Sequence, residues 1–107
     1  MPLWQRQEIQ TLLREMKNAE IAEIFTDIGQ ILRNRKDSIF KIRAYEKVAA
    51  EIKTTDLNLE QLVKENRLRE ISGVGDAIEK KITELVNTGR LEFYERLKAE
   101  TAGEQNG

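Results

Sequence analysis

ISGVGDAIEKKI, Ile71 to Ile82, sets two glycines two residues apart just ahead of an amphipathic run. Ile78, Ile82, Leu85 and Val86 recur at helical spacing, which predicts a helix over about 76–88 with Gly89 as its left-handed stop. Upstream, Leu59, Leu62 and Val63 predict a short helix near 58–65 that Asn66 can close. Between the two lies a hairpin, Asn66 to Gly75, pinned by Leu68, Ile71 and Val74. A dinucleotide fingerprint would need a preceding strand and a third glycine, and a P-loop a Gly-Lys-Ser/Thr ending; neither is present. What remains is a tight turn at a helix start, where successive N–H groups and the positive end of the helix dipole attract a phosphate without any side chain. Gly73, Val74 and Gly75 are therefore candidate contacts to a nucleic-acid backbone, and glycine lets that backbone approach closely. The steric alternative is that Gly73 and Gly75 only permit a sharp αL turn.

Working outward, Ile9, Leu12, Leu13 and Met16, then Ile21, Ile24, Phe25, Ile28 and Leu32, keep the i, i+3, i+4, i+7 rule. They predict two helices, near 3–16 and 19–34, with Asn18 as a cap between them. A third helix begins after Asp37 and Ser38, both capping types, and turns Ile42, Tyr45, Val48, Ala49 and Ile52 inward before the Thr54-Thr55-Asp56 turn. Leu91, Tyr94 and Leu97 predict a last short helix, and the polar tail from Thr101 is expected to fray. No strand pattern competes, so the fold class is all-α, a compact bundle of about five to six short helices.

Composition narrows the chemistry. The 107 residues contain no cysteine and no histidine, which removes disulfides, thiol and imidazole catalysis and nearly every zinc site. The absence of a long apolar run or an apolar leader gives a cytoplasmic expectation with no membrane partner. The formal net charge is −1, yet residues 30–53 carry seven lysines and arginines against three acids. Charge patterning, and not net charge, is what a polyanion would meet.

LREISGVGDAIEKKI (68–82) resembles a helix-hairpin-helix DNA-binding motif. Together with NAEIAEIF (18–25), FKIRAYEKVAAEI (40–52) and TGRLEFYERL (88–97), it resembles the N-terminal domain of family X DNA polymerases, the DNA polymerase beta-like and bacterial and archaeal enzymes. Four blocks in that family's order and spacing carry the likeness over about residues 18–99. Residues 1–17 form an additional N-terminal helix outside it, and 100–107 a flexible tail. The palm with its metal-binding aspartates is absent, so no polymerisation by this chain alone is expected.

The resemblance implies binding of gapped or nicked DNA at its 5′-phosphate, without sequence preference, and in some members a 5′-deoxyribose-phosphate lyase acting through a lysine Schiff base. Carried over by position, the Schiff-base lysine is Lys81, the 5′-phosphate contacts are Lys41 and Tyr45, and Phe40 sits where the family often stacks a template base. No cofactor is required. A monovalent cation, sodium or potassium, would be held by the backbone carbonyls of Arg69, Ile71 and Val74. The remaining domains of a polymerase would be partners besides DNA.

Helical geometry agrees in part with that carry-over. Lys81 borders the apolar stripe while Lys80 points away, so only Lys81 can be partly desolvated, which lowers a lysine pKa towards the neutral nucleophile. Lys41 and Tyr45 share a face at i and i+4. Arg43 and Lys47 form a second such pair on the opposite side, suited to phosphates on a duplex flank. The bland readings are a snorkelling lysine at 81, a core aromatic at 45, and for Trp4 either a base stack or a cap over the first helix. Ala77 and Phe93 stand where lyase-competent members place further lysines, Glu79 stands where the motif carries a small residue, and Asp76, a good cap, brings negative charge beside the proposed phosphate. Such a carboxylate costs binding about 1–3 kcal/mol. The rival functions are a DNA-end binding module without chemistry and a helical protein-interaction domain that has lost DNA binding.

Overall fold

Apolar residues at helical spacing, with glycine and proline nearly absent from the periodic runs, build a chain of helices. The computed structural model describes residues 3–106, with side chains for Ile9 and for residues 17–103. Their order is α1 (Leu3–Asn34), α2 (Ile39–Thr54), α3 (Leu59–Lys64), a 3₁₀ turn (Leu68–Glu70), α4 (Asp76–Thr88) and α5 (Glu92–Asn106). No strand occurs among the described residues. The inward placement read for Leu12, Leu13 and Met16, and both roles read for Trp4, lie outside the described side chains.

The break expected at Asn18 does not exist: α1 is one helix of 32 residues. A capping side chain ends a helix only when it bonds its own backbone amides. Asn18 is instead buried, and its Nδ2 donates to the Leu57 carbonyl at 3.0 Å. A tertiary partner has taken the group that the capping reading had reserved for local use. At the other end, Lys36 adopts φ 57° while Asp37 N donates to Leu32 O and Lys36 N to Arg33 O, a Schellman closure. Asn66 closes α3 the same way at φ 56°, with Arg67 N donating to Leu62 O.

α1 and α2 form the most extensive pairing, and α3, α4 and α5 complete one core. Ile42, Tyr45, Val48, Ala49 and Ile52 of α2 are all buried, as their spacing requires. Phe25, Ile28, Ile52, Leu62, Leu68, Ile82 and Leu91 are among the largest fully enclosed side chains, so α1 to α4, the 3₁₀ turn and the link into α5 each contribute an anchor. Leu91 and Leu97 are buried and Tyr94 is half-buried, but α5 runs on through Thr101 to Asn106, where a frayed tail was expected. Arg35 gives the reason. Its guanidinium donates to the Glu100 carboxylate at 2.9 Å and to Leu97 O and Thr101 Oγ1 at 3.2 Å, clamping α5 to the end of α1.

Removing the buried Asn18 amide leaves the Leu57 carbonyl without its donor. Asn18→Ala is expected to cost about 1–2 kcal/mol, net of the better helix propensity of alanine, in urea unfolding.

Candidate nucleic-acid interface

The hairpin is built by three apolar pins. Leu68, Ile71 and Val74 are buried while Ser72, Gly73 and Gly75 stay at the surface, so burial of every third residue leaves the glycines of the bend facing outward. The two glycines do different things. Gly73 has φ 89°, a region that side chains avoid, and a Cβ there would sit 3.3 Å from Val48 Cγ2 and 3.4 Å from Lys47 Cδ. Gly75 has φ −104° and ψ −169°, extended backbone open to any residue, and a Cβ there would meet nothing within 4 Å. The steric alternative therefore explains Gly73 and leaves Gly75 unexplained by the fold.

Gly75, not Asp76, is the N-cap of α4, and no side chain caps it. Asp76 already lies in the first turn because the chain enters the helix one residue earlier than a capping aspartate would allow. The amides of Gly73, Gly75, Asp76 and Ala77 donate to no protein acceptor among the described residues. Val74, the third candidate, differs: its N–H donates to Ile71 O at 3.1 Å. The free donors are thus the glycines and the first turn of α4. Lys47 lays its aliphatic stem across Gly73, which puts this lysine beside the bend. Arg43 is exposed on the same helix.

The two acids that count against an anion here are both paired. Arg69 Nη2 lies 3.0 Å from Asp76 Oδ1, its Nε lies 3.6 Å from Glu79 Oε2, and Lys80 Nζ is 3.8 Å from Asp76 Oδ2. Surface pairs of this kind add little stability, but they cancel charge at the helix start. For a cation, the Val74 carbonyl accepts no backbone amide, whereas the Ile71 carbonyl already accepts one. A second lone pair remains on Ile71, and neutral carbonyl oxygens suit a hard monovalent ion. Neither observation places the carbonyls of Arg69, Ile71 and Val74 around a common point.

A separate cavity of about 470 Å³ lies between the end of α1, α2, α4 and α5. Lys41, Tyr45 and Lys81 all line it, together with Ala77, Phe93 and Leu97. Tyr45 is stacked on Phe25 at 5.9 Å and on Phe93 at 6.2 Å between centroids, and burial raises its pKa, so its hydroxyl keeps its proton. Core aromatic and cavity wall are the same residue. Lys81 is half-buried, with Nζ 4.8 Å from the Phe93 ring centroid. Burial pushes its pKa down, and Glu84 pulls part of that back up. Phe93, read as a lost lysine, in place supplies an aromatic face to the remaining one.

Lys41 is exposed and 3.8 Å from Asp37 Oδ1, so that acid reaches the cavity too. Asp37 and Arg35 are the charged lining residues that sequence reasoning missed. Asp37 had a usable signal, the i, i+4 spacing to Lys41, but was read only as a cap; Ser38 is the N-cap of α2, neither side chain caps the helix, and Asp37 Oδ1 accepts instead from Ser38 N at 2.6 Å. Nothing local marks Arg35, whose place depends on α5. Phe40 stands apart from both sites and is 81% exposed, beside Ile39 at 42%.

Residues 16–91 match the helix-hairpin-helix domain family, and the chain belongs to that family, a DNA-binding fold. None of the curated proteins matches it significantly.

Two outcomes follow from this geometry. Gly73→Ala should lose about 1–3 kcal/mol of stability through its backbone conformation, whereas Gly75→Ser should be neutral or gain up to about 1 kcal/mol by supplying the missing cap, both read by urea unfolding. In an NMR titration of lysine ammonium groups, Lys81 should titrate below its ordinary 10.5, and Glu84→Gln should move it lower still, since the carboxylate that favours its charged form is gone.

Proposed function

We propose that this helix-hairpin-helix protein binds gapped or nicked DNA without sequence preference, holding the backbone at the hairpin and a 5′-phosphate in the Lys41–Tyr45–Lys81 cavity. The observation that carries it is the cavity itself: three residues from two helices, up to 40 positions apart, converge on one opening with an ammonium, a neutral phenol and a partly desolvated amine. A terminal phosphate needs a cation and a hydroxyl donor together, and a lysine of lowered pKa is what imine chemistry with an aldehyde needs.

The hairpin supports the backbone contact. A glycine that the fold does not require, with open space where its side chain would be, is suited to the close approach of another backbone. Lys47 would add a phosphate contact beside it and Arg43 a more peripheral one. A monovalent cation on the carbonyls of Arg69, Ile71 and Val74 would draw a phosphate oxygen to the same bend. Phe40, the most exposed of the large apolar side chains described, offers a face on which a template base could stack.

On this reading Lys81 supplies the amine of a 5′-deoxyribose-phosphate lyase, and the chain serves as the DNA-end-gripping domain of a family X polymerase or as its stand-alone relative in DNA repair. The order of the four sequence blocks supports that context. An end-binding module without chemistry would use the same phosphate contacts and differ only at Lys81.

The test is binding to a duplex with a one-nucleotide gap, with and without its 5′-phosphate, across a salt series. The phosphorylated gap should bind about tenfold tighter, a difference of about 1.4 kcal/mol, and affinity should fall steeply with salt. Lys41→Ala should erase most of the phosphate preference, while Gly75→Ser should weaken both substrates equally. Phosphate-blind, salt-independent behaviour would overturn the reading.

A further inference from the structure

We infer that Asp37 is the proton acceptor of the Lys81 cavity, the group that drives elimination once an aldehyde has been captured there; this rests on the lyase reading above. The cavity joins a partly desolvated amine on α4 to a carboxylate on the loop between α1 and α2. Asp37 is the only acid among the residues lining it. Its Oδ1 is engaged by Ser38 N at 2.6 Å and faces Lys41 Nζ at 3.8 Å, while Oδ2 accepts from no group among the described residues. One oxygen is anchored and the other is free to take a proton.

Glu84 is the rival base, because it lies near enough to influence Lys81. Its Oε2, however, accepts from Glu92 N at 2.8 Å, and it does not line the cavity. Its position serves the turn into α5.

The step balances without any oxidant or reductant. The neutral Lys81 amine adds to the aldehyde carbon of a 5′-terminal deoxyribose phosphate, and water leaves as the protonated imine forms. Asp37 Oδ2 removes a proton from the neighbouring carbon; the released electron pair moves towards the iminium nitrogen as an enamine. That pair then returns to form a carbon–carbon double bond and expels the 3′ oxygen, whose bond to the sugar breaks. The strand leaves with both electrons as a 5′-phosphate end. Water hydrolyses the remaining imine, releasing an unsaturated aldehyde, and Asp37 returns its proton to solvent. A carboxylate is a sufficient base because the iminium acidifies the adjacent C–H.

The probe is a gapped duplex carrying a 5′-deoxyribose phosphate, given to the full chain with two readouts. Borohydride trapping reports imine formation, and release of the 5′-phosphorylated strand without borohydride reports elimination. Asp37→Asn keeps the acceptor for Ser38 N and therefore the loop. It should trap within about twofold of the unmodified chain while eliminating about 10²-fold more slowly, and Asp37→Glu should recover most of that loss. Glu84→Gln, which removes a carboxylate that favours the charged form of Lys81, should eliminate no more slowly than the unmodified chain. Elimination by Asp37→Asn at the unmodified rate, or a parallel fall in trapping and elimination, would overturn the assignment while leaving the lyase reading intact. If the unmodified chain forms no adduct, or Lys81→Ala traps equally, the lyase reading fails at Lys81 and this role fails with it. Affinity of Asp37→Asn for a phosphorylated gap at or above that of the unmodified chain, as expected when a carboxylate beside Lys41 is neutralised, separates loss of a base from loss of binding.

Discussion

Tyr45 lies between Phe25 of α1 and Phe93 of α5, stacked on both at about a ring's reach. The wall of the cavity depends on that sandwich. It ties the first, second and last helices together, and Phe93 in turn offers its face to Lys81 on α4. A side chain buried for packing is therefore also the wall against which two cations and an acid meet. Burial raises the phenol's pKa, so the same constraint that stabilises the core keeps this wall of the cavity uncharged.

On the proposed reading, the hairpin would answer a different problem, how a chain of net charge −1 presents a place for an anion. Backbone amides carry no formal charge and need no lysine, only a bend that leaves them unpaired. Buried pins at Leu68, Ile71 and Val74 impose that bend, and Arg69 offsets the two acids of the first turn of α4. Lys47 then adds one cation at the edge. The acids of that turn are thus paired locally, at the place where an anion would meet them.

Some of this was legible in the chain and some was not, and the division follows the range of the interaction. The apolar stripe of α2, the pins of the hairpin and the left-handed Gly89 depend on neighbours within about one turn, and all are found as read. The face shared by Lys41 and Tyr45 is local in the same sense. Asn18 is the counter-example: its capping signal was genuine, but a carbonyl 39 residues away claimed the amide and the helix ran through. Asp76 failed as a cap for a smaller reason, the entry of the chain into α4 at Gly75. The tail from Thr101 looked free because its partner, Arg35, lies 66 residues earlier.

By itself, then, the sequence determined that the chain is all-helical, where most helices begin and end, which faces they bury, and that a Gly-x-Gly bend stands before α4. Each of those follows from spacing and from backbone preferences that act over a few residues. Only the tertiary structure decided that Gly73 serves the fold while Gly75 is left over, that Lys47 lies against the bend, and that Asp37 and Arg35 join Lys41, Tyr45 and Lys81 around one cavity. Those facts depend on which helix faces meet, and packing of distant faces against one another is not encoded in any short window of residues.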